Sequence, residues 1–342
     1  MIASAPIHAL LALALGALLA AGTIPTIYPL LLKYTLAKPN ARSSHRIPTP
    51  QGAGIAVIAA TLVATVVALV WFSTSGREIP TVVLLAALFM AAVGFADDLR
   101  SVPILPRLAL QAVAVGTVVF CIPAELRLFL PCPWLLERSL TLLACLWFVN
   151  LVNFMDGLDW MTAAEVVPVT AAIVILGITD DLPLQVTIVA AALCGAMLGF
   201  APFNRPKAKV FLGDVGSLSI GLLLGWCLLE LAYRHPAAAL LLPLYYLADA
   251  TLTLLRRLLR GEEFWSAHRS HFYQKATDNG LTVPQIVGRV FALNICLAAL
   301  AIATTMVQSA IALIACIGAG LAGVSIVMHG FSQPRRPDSG PR

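Results

Sequence analysis

Five aspartates, Asp97, Asp98, Asp156, Asp159 and Asp214, fall at three places in the chain, each where a long apolar run ends or begins. Clustered carboxylates with no thiol or dense histidine set suit a hard divalent cation, Mg2+ with Mn2+ as a substitute, which takes a few oxygen ligands and leaves the rest to water and phosphate. A basic group lies further on: Arg256, Arg257 and Arg260, then His268-Arg269-Ser270-His271. Guanidinium groups grip phosphate through paired hydrogen bonds, so this segment reads as a polyanion clamp for the acids to face. Gly213 and Gly216 bracket Asp214, and Gly52 and Gly54 precede another apolar run. Helix N-termini at such places offer free backbone N–H groups to phosphate. Singly, an Asp at a helix end marks only the membrane interface, and an Arg there only anchors topology. The functional reading rests on several polar blocks converging on one face.

The elements that must position these residues are membrane helices. Of the 342 residues 60% are hydrophobic and 11% charged, against about 45–50% and about 25% in soluble domains. A bilayer core about 30 Å thick needs about 20 apolar residues per crossing. Eleven segments qualify, over 6–32, 53–71, 80–96, 105–122, 140–154, 161–178, 183–200, 215–231, 236–254, 286–307 and 310–327. The expected fold is therefore all-α and polytopic, one transmembrane domain over 1–330 with a disordered tail over 331–342. The seven cysteines are scattered, without CxxC or adjacent histidine, and read as apolar fillers. No Lys or Arg precedes the first apolar stretch, which runs on past Ala20 to Leu32 and so reads as a retained helix, not a secretory signal.

Orientation follows from the basic residues. With the N-terminus on the periplasmic side, all of the 22 Lys and Arg except Arg77, Arg127, Arg138 and Arg234 fall in cytoplasmic segments, as the positive-inside rule requires. The C-terminus is then cytoplasmic, and so are the blocks Pro39–Gly54, Asp97–Asp98, Asn150–Asp159, Asn204–Ser217 and Asp249–His271. Topology and anionic lipid account for the net charge of +5 without a nucleic-acid partner.

PNARSSHRIPTPQGAG, FADDLRS, NLVNFMDGLD, FNRPKAKVFLGDVGS and HRSH, in this order and spacing from Pro39 to His271, resemble the polyprenyl-phosphate N-acetylhexosamine-1-phosphate transferases of glycosyltransferase family 4. The resemblance implies a UDP-N-acetylhexosamine donor, an undecaprenyl (polyprenyl) phosphate acceptor, membrane lipid around the protein and scope for a homodimer. It implies catalytic roles for Asp97, the acid–base partner of the lipid phosphate, and for its neighbour Asp98. Asp214 would be the principal Mg2+ ligand, with Asp156 contacting nucleotide or supporting the metal. Asn153 would join Asp156 in substrate binding, Asn204 and Phe211 would hold and stack the uracil, and Arg257, His268 and His271 would match the diphosphate clamp. Three departures are visible: Ser101 stands at the third acid of a DDxxD pattern, Trp160-Met161-Thr162 replaces Gly-Leu-Ala after DGLD, and His-Arg-Ser-His replaces three consecutive histidines of the peptidoglycan enzyme. These place the chain in the hexosamine branch, which initiates O-antigen or similar cell-surface polysaccharides at the bacterial inner membrane.

Two other readings compete: the phospho-N-acetylmuramoyl-pentapeptide transferase of peptidoglycan synthesis, and a secondary transporter. A transporter places ion-binding acids near the bilayer midplane, often within inverted repeats. No repeat is visible in the sequence, and no Asp or Glu stands in the middle of a predicted span. The charge count predicts that labels in the loops 97–104, 201–213 and 258–285 all report the cytoplasmic side. Accessibility labelling in whole cells checks this, and one loop reporting the outer face would separate blocks that have to form one site.

Overall fold

The computed structural model describes residues 5–37, 48–71, 80–179, 182–262 and 269–334. His268, the segment 38–47 and the tail beyond 334 lie outside the described residues. In chain order the helices are α1 (Ala5–Tyr34), α2 (Gly54–Trp71), α3 (Thr81–Leu99), α4 (Ile104–Cys121), α5 (Trp134–Met155), α6 (Met161–Thr179), α7 (Leu184–Phe200), α8 (Asp214–Ala232), α9 (Pro236–Leu241), α10 (Leu244–Leu259), α11 (Phe272–Asp278), α12 (Val283–Met306) and α13 (Ala310–Ser332). One antiparallel two-residue pair, β1 (Leu36–Ala37) with β2 (Thr49–Pro50), flanks the 38–47 block, with Leu36 opposite Pro50. The chain is an all-α polytopic membrane protein.

Among the described residues nine helices are long and apolar enough to cross a membrane, and α7 is a shorter apolar helix of 17 residues. The predicted crossing over 236–254 is instead broken into α9 and α10 at Leu242–Pro243. Proline supplies no N–H to the helical ladder and crowds the preceding turn. The fifth helix starts at Trp134, earlier than its apolar run suggests. Glu137 and Arg138 enter the helix because both are paired: Arg127 holds Glu137, and Arg138 donates to the Tyr233 hydroxyl at 3.0 Å and to the carbonyls of Pro123 and Leu126 at 2.8 and 2.9 Å.

Helix α8 is the axis. Its side chains are apolar around nearly the whole circumference and almost all are buried, the mark of a helix enclosed by others. Helices α2, α3 and α5 reach it through glycines. A Cβ on Gly54 would stand 2.3 Å from Gly216 Cα, and one on Gly94 would stand 2.3 Å from the Asp214 carbonyl oxygen. Close backbone approach through small residues is how helices associate in lipid, where burial against water gives no drive between them. Gly94 matters most here because it lets the end of α3 lie against the start of α8. Gly94→Ala is therefore expected to lower the yield of folded protein sharply, while Gly22→Ala, whose Cβ would meet nothing within 4 Å, leaves it unchanged. Size-exclusion profiles and thermal unfolding of the two purified variants check this.

Candidate active site

The first turn of α8 is held by a side chain from another helix. Asp98, in the last turn of α3, accepts the Asp214 N–H at 2.9 Å through Oδ1 and the Val215 N–H at 3.1 Å through Oδ2. Both donors are among those a helix N-terminus cannot satisfy internally, and a carboxylate there also meets the positive end of the helix dipole. Gly213 makes the approach possible: its φ is 75°, and a Cβ would fall 2.5 Å from Asp98 Oδ2. The Gly52–Gly54 block docks against the same turn. Ala53 and Gly54 donate N–H groups to the carbonyls of Phe211 and Leu212 at 3.0 and 2.8 Å, and Phe211 N–H returns one to Pro50 at 2.8 Å. Gln51 Nε2 donates to the Asp98 carbonyl at 3.2 Å.

This arrangement brings Asp97, Asn153 and Asp214 together. Asn153, in the last turn of α5, donates to Asp214 Oδ1 and to Ser217 Oγ, both at 2.8 Å. Arg107, the fourth residue of α4, lies with Nη1 2.6 Å from Asp97 Oδ2 and 3.4 Å from Asp214 Oδ2. Asp97 Oδ1 accepts the Val102 N–H at 2.6 Å. The Asp214 side chain is 29% exposed and that of Asp97 10%, so Asp214 is the carboxylate a ligand reaches first. Sequence reasoning counted Arg107 only as a topology anchor. A signal was there: a cation in the first turn of a helix opposes the helix dipole, and such a placement needs an acid to explain it.

Asp156 follows the end of α5, and its Oδ1 accepts a short hydrogen bond from the Thr162 hydroxyl. Burial pushes its carboxyl up to about 6, Thr162 acts against this, and the charges of Asp98 and Asp159 add to it. Asp156 thus feels the cluster electrostatically. Asp159 accepts the Ala208 N–H at 3.1 Å. Asn204 accepts the Trp160 N–H at 2.8 Å and donates to the Val210 carbonyl at 2.9 Å, so it ties the 201–210 segment to the start of α6. Trp160 has a left-handed backbone with φ 65° and is held through its indole N–H to the Ala201 carbonyl at 2.6 Å.

The basic clamp has its partners elsewhere. Arg257 pairs with Glu262 at 2.9 Å, and Arg256 lies over the Phe272 ring at 4.5 Å. His271 is buried as the N-cap of α11, with Nδ1 3.3 Å from Asp249 Oδ1. The fully buried Asp249 also accepts the N–H groups of Phe272 and Tyr273 at 3.0 and 3.1 Å. Asp249 and His271 therefore dock α11 onto α10, and Tyr273 carries that docking to α5 by donating to the Phe154 carbonyl at 3.0 Å.

Among the described residues no group of three or more His, Cys, Asp or Glu side chains forms a metal cage. The donor set fits a Mg2+ ion nonetheless. Asp214 and Asp97 converge with oxygen donors only, and Mg2+ is commonly held by one or two carboxylates with water and substrate phosphate completing the shell.

The helix ends of α3, α4, α5 and α8 thus gather three carboxylates, an amide and a guanidinium. Residues 80–232 match the family model described as Glycosyl transferase family 4. The chain is 28% identical over 288 residues, 74% of its length and 72% of the relative's, to a decaprenyl-phosphate N-acetylglucosaminephosphotransferase of Mycobacterium leprae. It is 28% identical over 308 residues, 78% and 82%, to a phospho-N-acetylmuramoyl-pentapeptide-transferase of Gluconacetobacter diazotrophicus, and 33% identical over 224 residues, 59% and 66%, to one of Desulforamulus reducens. These likenesses place the family 4 polyprenyl-phosphate hexosamine-1-phosphate transferases as the relatives this chain resembles, and they support a multi-pass membrane enzyme that transfers sugar phosphate. That family's substrates are polyprenyl phosphate and a nucleotide sugar.

Arg107→Gln is expected to lower turnover by roughly 100- to 1000-fold, the range seen when a donor that stabilises developing charge is removed. Turnover of the purified variant, with insertion and size-exclusion behaviour as the folding control, checks this; near-parental turnover would reduce Arg107 to a topology anchor.

Proposed function

We propose that the chain transfers N-acetylhexosamine-1-phosphate, from UDP-N-acetylglucosamine or a related 6-deoxy amino sugar, to undecaprenyl phosphate. The reaction releases UMP and leaves a polyprenyl-diphospho-sugar, at the cytoplasmic face of the bacterial inner membrane, as the first step of O-antigen or similar polysaccharide synthesis. The observation that carries the reading is Asp214, held by Asn153 and Arg107 beside Asp97 at a junction of four helix ends. The name of the Mycobacterium leprae relative supports the N-acetylglucosamine branch, and His-Arg-Ser-His at 268–271 supports it against the peptidoglycan reaction.

In this reaction an oxygen of the lipid phosphate attacks the sugar-bearing β-phosphorus, the bond from that phosphorus to the oxygen bridging to the α-phosphate breaks, and UMP leaves with that oxygen. Positioning and charge neutralisation do most of the work in such transfers. Asp214, with Asp97 or Asp156 in support, would hold Mg2+, which would supply positive charge for the donor's diphosphate. Arg107 carries a permanent positive charge to the same place and bridges Asp97 and Asp214. Asp97 is placed to take the last proton of the lipid phosphate, a modest role because a phosphate monoester with a second pKa near 6 is already mostly dianionic at neutral pH. Asp98 acts through the backbone, keeping Asp214 at the head of α8.

The purified protein, given UDP-N-acetylhexosamine, polyprenyl phosphate and Mg2+, is expected to release UMP, to stop when EDTA is added and to recover with Mg2+. A panel of UDP-sugars that includes the muramoyl-pentapeptide donor names the substrate. Release of UDP would mean direct glycosyl transfer, and turnover only with the muramoyl donor would move the chain to the peptidoglycan branch.

A further inference from the structure

One helical turn from the carboxylate cluster, two buried amides join α4 to α5. Gln111 is wholly buried and Asn150 nearly so. Asn150 Nδ2 donates to Gln111 Oε1 at 2.8 Å and to the Leu146 carbonyl of its own helix, also at 2.8 Å. The second bond settles which way the Asn150 amide faces, since a carbonyl can only accept. Gln111 must then turn its oxygen to Asn150, and its NH2 group is left buried with no partner.

Polar side chains inside a membrane bundle are retained at a cost and mark function by default. The positions say which function. Gln111 is four residues beyond Arg107 on α4, and Asn150 is three residues before Asn153 on α5, so each amide shares a helix face with a group that contacts Asp214. Apolar contacts between smooth helices tolerate sliding, whereas one hydrogen bond between two short amides does not. A slide of one residue, about 1.5 Å along the axis, would carry Arg107, already at 3.4 Å, out of reach of Asp214.

We infer that Gln111 and Asn150 are positioning residues of the transferase: their amide bond sets the register in which α4 and α5 deliver Arg107 and Asn153 to Asp214. The inference rests on the sugar-phosphate transfer assigned to this cluster. It assigns the pair no contact with substrate.

The test uses the full chain and three variants: Gln111→Leu, Asn150→Leu, and the exchanged pair Gln111→Asn with Asn150→Gln. Single interhelical hydrogen bonds in membranes are weak, so the Leu variants are expected to insert and purify. Loss of a supporting residue around a phosphate and metal site typically costs about 10- to 100-fold. That fall is expected in kcat for each Leu variant, with KM for the nucleotide sugar little changed, and the exchanged pair is expected to recover most of it. Spin labels at the exposed positions 105 on α4 and 144 on α5 report register without turnover, and their distance distribution is expected to shift or broaden in Gln111→Leu and to return in the exchanged pair. Parental kcat in Gln111→Leu, an unmoved label distance, or an exchanged pair no better than the single variants would each overturn the inference. A parent protein that transfers no sugar phosphate while the label distance still responds would fault the reaction and leave the helix registration standing.

Discussion

Asp98 gripping the first two N–H groups of α8 is the contact on which the rest of the site depends. Hydrogen bonds to a charged group contribute about 1.5–3 kcal/mol each, and here both oxygens of one carboxylate are spent on a neighbouring helix. The bonds fix where α8 begins, and therefore where Asp214 stands. They also require α3 and α8 to touch backbone to backbone, which Gly94 and Gly213 allow. Arg107 and Asn153 then arrive from helices that each had to be placed against this pair. The two adjacent acids accordingly divide their work: Asp98 holds the scaffold, and Asp97 faces the guanidinium and Asp214.

Much of this was legible in the sequence because lipid is a strict solvent. The apolar runs, the basic asymmetry and the placement of every acidic block at a helix end follow from excluding charge from hydrocarbon, so the helices and the convergence of Asp97, Asp98, Asn153 and Asp214 could be read before any coordinates. What the sequence hid are interactions that depend on which helices are neighbours. Arg107 reads as any interfacial arginine in the sequence, because nothing there tells that its side chain reaches Asp97 on α3 and Asp214 at the head of α8. The crossing over 236–254 looked continuous because a hydropathy average does not weigh one proline. The apolar segment over 140–154 stops short of Glu137 and Arg138, whose partners, Arg127 and Tyr233, lie across a turn or far along the chain.

At Trp160, one of the departures from the resembled pattern, the backbone is unusual for the residue that stands there. At position 160 the backbone needs a left-handed conformation, which glycine adopts freely and a bulky residue resists. Trp160 adopts it with φ 65° because three bonds over-determine the segment: Asn204 on its N–H, the Ala201 carbonyl on its indole, and Asp159 on Ala208. Asn204, expected to face the base, holds the loop that precedes Asp214. Thr162, two residues on, supplies the hydroxyl that holds Asp156.

The two ends of the bundle carry polar networks of opposite character. At the end away from the site, Glu137 is occupied by Arg127 and by the Leu128 and Phe129 N–H groups, and Arg138 is wholly buried among two carbonyls and the Tyr233 hydroxyl. One acid there meets two cations, carbonyls take up the second, and a network so enclosed serves to lock the 122–133 turn. At the site end, Asp97, Asp98 and Asp214 meet with Arg107 as the guanidinium among them, and Asp214 remains open to solvent. Acids in excess at the edge of a low-dielectric bundle repel one another and favour an added cation. The same excess disfavours a bare diphosphate. On the proposed reading, a nucleotide sugar would therefore bind best when its charge arrives already matched by a divalent ion.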